Sequence, residues 1–267
     1  MEHIFNPHAD NSFSPKTGTY TTGVKSIGYP FIIGEGHSPL QHTAATIDMH
    51  VCLQRREQPP DMTICLELLN RYRPGIRVTD IRGLLTGIKE QCSADSAHIT
   101  VGFSFFCEKE APVTKASSLM EYRCRIRGSH VSRTELVTGV EVPVTTLCPC
   151  SRQISNYSAH NQKCMVTINL SSVADVGIED IISIAEKNAS SPLYPLLKRP
   201  DEKAVTEKAY DKPVSVETLV HDIAKELDSM PAVRWYAVTA ENHESIHDHQ
   251  VYASIQKHST LPQHPHP

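Results

Sequence analysis

A chain of 267 residues, 39% of them hydrophobic, can bury one large core or two smaller ones. Its 26 Lys and Arg against 30 Asp and Glu give a formal net charge of −4, which excludes the broad basic footprint of nucleic-acid or membrane-surface binding and obliges any anionic ligand to meet a local cluster of cations. No apolar run approaches the ~18 residues of a membrane span, and residues 1–15 lack the basic and apolar regions of a secretory signal, so the expected location is the cytoplasm.

In chain order, residues 1–22 are polar with Pro and Gly and are expected to be a flexible lead. Residues 23–33 and 40–53 read as strands, the second with Ala45, Ile47, Met49 and Val51 alternating. Residues 62–72 carry a helical stripe of Cys65, Leu68, Leu69 and Tyr72; residues 79–91 carry one of Ile81, Leu84, Leu85 and Ile88, with Thr79 or Asp80 as cap. Strand alternation returns over 98–108 and 117–126. A second pass starts near Val131, with strands 135–147 and 163–170 around a motif loop 148–161, helices 178–188 and 215–227, and strands 233–239 and 249–256. Ser215 is the N-cap of the last helix, whose apolar face is Val216, Leu219, Val220, Ile223, Ala224 and Leu227. These passes predict an α+β protein of two tandem ββααββ units, 23–130 and 131–258, each an antiparallel sheet with helices on one face; residues 259–267 are expected to be a disordered tail.

The 8 cysteines are expected to be reduced, since Cys52, Cys65, Cys92, Cys107, Cys124 and Cys164 fall in apolar-periodic segments of a chain that needs no staples. Cys148 and Cys150 differ. Residues 142–162, VPVTTLCPCSRQISNYSAHNQ, end an apolar run in these cysteines and add His160 beyond them. Pro149 between the cysteines disfavours their closing on one ion, so a single thiolate with His160 is the expected ligand pair, and an open catalytic site fits better than a closed structural one. Two further segments, 199–211 (RPDEKAVTEKAYD) and 240–249 (AENHESIHDH), carry more charge and histidine than packing or a hairpin turn requires.

Each candidate has a plain alternative. Cys148 alone reads as a small core residue, His160 as a loop histidine bonded to backbone, and His243, His247 and His249 as solvated surface. Glu202 and Glu207 read as a solvated helix face, and Glu217 as a first-turn carboxylate answering the helix dipole. Taken together, a thiolate, an imidazole and a carboxylate around one ion leave room for water, lower its pKa and point to hydrolysis. Residue types leave manganese, iron and zinc open.

Over nearly its whole length the chain resembles the prokaryotic type IB GTP cyclohydrolase I family, a branch of the tunnelling-fold superfamily. The segments that carry the resemblance are VPVTTLCPCSRQIS with AHNQ (142–155, 159–162), KRPDEKAVTEKAYDKP (198–213) and ENHESIHDHQVYA (241–253), with GVKSIGYP (23–30) in support. Ser158 and Cys164 depart from the residues usual there, and neither is a proposed ligand. The resemblance implies a divalent metal at Cys148, His160, Glu202 and His247, with Cys148 and His160 also catalytic. It implies that Glu217 binds the guanine of GTP, since a carboxylate accepts from guanine N1–H and N2–H, whereas adenine N1 is an acceptor and its C2 carries no amino group. It further implies a homotetramer whose barrel places active sites at subunit interfaces. The implied reaction converts GTP and water to 7,8-dihydroneopterin triphosphate and formate, opening tetrahydrofolate synthesis. Arg152, Lys163, Lys198, Arg199 and Lys25 are the cations available for the triphosphate. Rival readings are a tunnelling-fold NADPH-dependent nitrile reductase with a cysteine nucleophile, and a non-catalytic purine or pterin binding module.

Overall fold

The computed structural model describes residues 19–34, 40–54, 60–173 and 176–257. The elements of the first half are β1 (Thr19–Ile33), β2 (Gln41–Gln54), α1 (Thr63–Leu69), the short β3 (Ile76–Arg77), α2 (Ile81–Gln91), β4 (Ser96–Glu110) and β5 (Ser117–His130). The second half contains β6 (Thr134–Leu147), α3 (Pro149–Ile154), β7 (Asn161–Ser172), α4 (Ile178–Asn188), the short β8 (Ser191–Pro192), α5 (Arg199–Asp211), α6 (Val216–Asp228), β9 (Val233–His243) and β10 (Gln250–Gln256). The strands join in one sheet of order β10-β9-β7-β6-β5-β4-β2-β1-β3, with β8 beside β6. Its pairs are antiparallel except β1 with β3.

Strand alternation decides what each face does. Ile47, Val101, Ile126, Val142, Val166 and Val238 are buried, and with Leu84, Leu85, Ile182, Ala185, Leu219 and Ile223 of α2, α4 and α6 they form one continuous core. The intervening residues, among them Thr46, Asp48, Arg123, Arg125 and Glu141, remain at least partly exposed and make the opposite face polar. α6 shows how local sequence and packing agree. Ser215 Oγ accepts from Thr218 N–H at the N-terminus, and Val216, Leu219, Val220, Ile223, Ala224 and Leu227 are all buried. A Leu219→Ala cavity there would cost about 2–5 kcal/mol.

The structure moves several boundaries. β1 begins at Thr19, so 19–22, expected in the loose lead, pair with β2. Residues 1–18 and 258–267, which contain the rest of that lead and the tail, lie outside the described residues. α1 stops at Leu69, short of Tyr72, close before the backbone-restricting Pro74. Asp80 is the N-cap residue of α2, though without a side-chain cap bond; a 3₁₀ turn (Val78–Asp80) precedes the helix, and Asp80 Oδ2 accepts from Arg77 N–H at 2.9 Å. The motif loop contains α3, and the charged segment 199–211 is the helix α5.

α5 is tied across the chain by one buried carboxylate. Asp201, with 0% of its surface exposed, accepts from Val113 N–H at 2.9 Å, Thr114 N–H at 2.8 Å, Thr114 Oγ–H at 2.6 Å and Lys198 N–H at 3.0 Å. Burial raises its pKa, but these donors prevail and hold the carboxyl well below the ordinary range. The turn between β4 and β5 is thereby fastened to the N-terminus of α5.

Candidate active site

Cys148 follows the last residue of β6 and is the N-cap of α3, with Pro149 in the first helical turn. Ser151 N–H donates to its sulfur at 3.4 Å. Partial burial raises the thiol pKa, and Glu244 raises it too, yet the donors from Ser151 and the Cys150 N–H outweigh both, so the net shift is downward. This favours thiolate, the form that attacks electrophiles and binds metals. Cys150, two residues on, is exposed.

His160 faces Cys148 across the base of the motif loop, where Cys148 N–H donates to His160 O at 3.4 Å and β6 meets β7 at Leu147 opposite Asn161. His160 Nδ1 is hydrogen-bonded to Ser245 Oγ at 3.1 Å. With Nδ1–H donating, the imidazole lone pair lies on Nε2, as a ligand or a proton acceptor requires. The same end of the sheet therefore gathers the motif loop and the connection 244–249.

The neighbouring segments latch onto this end. Leu147 N–H donates to Val214 O at 3.4 Å, Ser190 N–H to Thr145 O at 3.0 Å and Val214 N–H to Ser190 Oγ at 3.1 Å. Glu217, exposed in the first turn of α6, lies three residues beyond that latch. Ala209 and Tyr210 of α5 pack with Leu147 and Ala159, which flank Cys148 and His160.

Within one chain the structure does not bring the whole expected ligand set together. Glu202 is exposed on α5 and paired with Arg199 Nη1 at 2.7 Å. His247 is exposed and stacked on His249, with ring centroids 5.0 Å apart. Among the described residues, the group of His, Cys, Asp or Glu whose ligand atoms lie within 4.8 Å of one another is instead His50, Cys52 and His98, on β2 and β4. These donors suit a metal ion. Two-residue spacing puts His50 and Cys52 on one strand face, the signal that could have found them; cross-strand register supplies His98.

A second group escaped sequence reading. Thr146 Oγ–H donates to Asn242 Oδ1 at 2.8 Å and to Gln162 Oε1 at 3.4 Å, and Asn242 Nδ2–H donates to Gln162 Oε1 at 3.1 Å. All three are buried, and they join β6, β7 and β9 behind Cys148 and His160. Their signal is a polar residue in core phase: Thr146 continues Val140, Val142 and Val144, Gln162 precedes Cys164 and Val166, and Asn242 follows Val238 and Ala240. Buried polar groups in such positions stay only when they bond one another.

Residues 16–253 match the family model for type I GTP cyclohydrolase folE2. GTP cyclohydrolase FolE2 of Syntrophotalea carbinolica is 46% identical over 234 residues, covering 88% of each chain. That of Geotalea uraniireducens is 44% identical over 235 residues, covering 88% of this chain and 87% of its own. Among solved structures, the uricase of Arthrobacter globiformis superposes with a TM-score of 0.55 at 10% identity, over 93% of this chain and 97% of that one. This last likeness bears on fold alone, a shared α+β arrangement.

Proposed function

Because the chain belongs to the type I GTP cyclohydrolase folE2 family, we propose that it converts GTP and water to 7,8-dihydroneopterin triphosphate and formate, the first step of tetrahydrofolate synthesis. The observation that carries this reading into the structure is Cys148, its thiol pKa lowered by α3 donors and its backbone bonded to His160. Within the family, the finer reading is the prokaryotic type IB branch, two tandem tunnelling-fold units and a cytoplasmic homotetramer.

Cys148, His160, Glu202 and His247 are the proposed ligands of a manganese, iron or zinc ion. The first two fit: a thiol biased to thiolate and an imidazole whose Nδ1 is engaged by Ser245. A bound divalent ion would supply Lewis acidity and lower the pKa of water toward neutrality. Glu202 and His247 stand on exposed segments, which is compatible with a barrel that completes its sites at subunit interfaces.

The chain's own side chains supply binding and proton transfer. Glu217, in the first turn of α6, accepts from guanine N1–H and N2–H. His160, or a neighbouring histidine among His243, His247 and His249, accepts and donates protons during ring opening and formate release, imidazole nitrogen being able to do both. Arg152, Lys163, Lys198, Arg199 and Lys25 lie in or beside the motif segments in sequence and are the proposed triphosphate contacts.

The test is metal-stripped protein incubated with GTP, with and without manganese, iron or zinc, measuring formate and the fluorescence of the oxidised pterin. Metal-dependent product from wild type and none from Cys148→Ala supports the reading. Absence of product with every metal in folded protein overturns it, and would turn attention to NADPH-dependent nitrile reduction or to ligand binding without turnover.

A further inference from the structure

We infer that His50, Cys52 and His98 form a second metal site in each chain, built for a borderline-soft divalent ion of the zinc class and separate from the Cys148 centre. Their ligand atoms all lie within 4.8 Å of one another. Tetrahedral zinc holds imidazole nitrogen and thiolate sulfur roughly 3.3–3.6 Å apart, given bond lengths of about 2.0–2.3 Å, so closure needs the ligand atoms to draw together by an amount of the order of 1 Å.

The backbone sets this arrangement in advance. His50 and His98 are directly opposed in the antiparallel register of β2 and β4, with their rings stacked at 4.7 Å. Ser96 Oγ holds His98 Nε2 at 2.8 Å; when Nε2–H donates, the ring lone pair lies on Nδ1, the outer-sphere device that fixes histidine ligands. Cys52 Sγ lies 3.6 Å from Thr21 Oγ1 on β1, a contact that can orient the sulfur. Gly23 allows the close approach of β1, since a Cβ there would stand 2.2 Å from Met49 O and 2.6 Å from His50 Cβ. An open groove of about 630 Å³, lined by Gly23, Lys25 and Thr100, reaches His50 and gives an ion and a fourth ligand their access.

Sheet register separates this site from Cys148. His98 is opposite Ser129, and Ser129 is opposite Glu135 at the start of β6, whereas Cys148 follows the end of that strand. The steps from Glu135 to Cys148 span roughly 40 Å of extended chain. One ion cannot bridge the two within a chain. Two imidazoles and one thiolate prefer zinc or cobalt to magnesium, calcium or manganese.

The experiment titrates the metal-stripped full chain with cobalt(II) and reads thiolate-to-cobalt absorption and bound cobalt per chain. Cys52→Ser and His98→Ala should each bind one equivalent fewer than wild type, with the sheet intact by circular dichroism. Ser96→Ala should weaken that equivalent by roughly 10–100-fold. In Cys148→Ser, X-ray absorption of the remaining bound ion should show nitrogen and sulfur ligands together, a readout that holds even if a β2 variant fails to fold. Unchanged stoichiometry in Cys52→Ser would overturn the inference. So would a single wild-type equivalent lost in both Cys52→Ser and Cys148→Ser, which would mean one composite site between chains, or a bound ion in Cys148→Ser without sulfur. The inference does not depend on GTP turnover, so failure of either proposal is distinguishable from failure of the other.

Discussion

Cys148 is joined to His160 through the backbone, whereas the Cys52 sulfur lies beside the imidazoles of His50 and His98, and the two regions prepare their thiols differently. Cys148 leaves a strand and caps a helix; donors from Ser151 and Cys150 bias it toward thiolate, and the surrounding charged segments remain exposed. Cys52 stays within a strand, where alternation and register bring His50 and His98 to it. A loop site can be tuned for reactivity and completed by another surface, whereas a strand site is fixed by pairing. The sharpest way to break this contrast is Cys148→Ala, expected to lower GTP turnover by more than ~100-fold while leaving the circular dichroism spectrum unchanged, since losing even an outer-sphere partner of a metal site costs about 10–100-fold. Equal loss from Cys52→Ser would erase the functional difference between the two regions.

Glu217→Gln sharpens the same contrast at the substrate side. An amide can accept one guanine hydrogen bond but presents N–H to the other donor, leaving a mismatch where the carboxylate accepted both. The expected loss is roughly 100-fold in kcat/KM for GTP, mainly through KM, with cobalt stoichiometry unchanged. Steady-state kinetics checks it; an unaltered KM would remove Glu217 from guanine recognition.

Periodicity explains why most elements could be read early and some could not. The stripes at Ile81, Leu84, Leu85 and Ile88 and at Val216 through Leu227 became helices, because an apolar face spaced at 3.6 residues has one way to be buried. α5 has only Asp201 and Ala209 buried, so its polar sequence offered no stripe. α3 is hidden similarly, its short helix defined by Pro149 and the Cys148 cap. The Cys148 and His160 motif was legible because its residue types are unusual together. The trio Thr146, Gln162 and Asn242 was not, since a polar residue in core phase announces a buried bond without naming its partner.

That trio gives a smaller test of how the loop site is held. Asn242→Ala leaves Thr146 and Gln162 with lost partners in a buried layer, at an expected cost of about 1–3 kcal/mol in denaturant unfolding. Because β6, β7 and β9 are joined there, activity should fall together with stability, and cobalt binding at His50, Cys52 and His98 should persist. A variant as stable as wild type would mean that water replaces the amide.

The narrowest effect concerns the tie between the two halves. Asp201 has a folded pKa below its ordinary value of 3.8, because donors from Thr114, Lys198 and Val113 outweigh its burial. A group depressed on folding contributes stability that is fully present above its unfolded pKa and disappears as pH falls through the folded one. Wild type should therefore be stabilised by Asp201 at neutral pH and lose that contribution progressively below about pH 4. Asp201→Asn, which keeps an acceptor but cannot ionise, should melt below wild type at pH 7 and approach it in acid. Thr114→Val should give a weaker version, since backbone donors to the carboxylate remain. Melting curves between pH 2 and 7 decide the matter: parallel curves for wild type and Asp201→Asn would mean that the link between α5 and the β4–β5 turn does not depend on the carboxylate's charge.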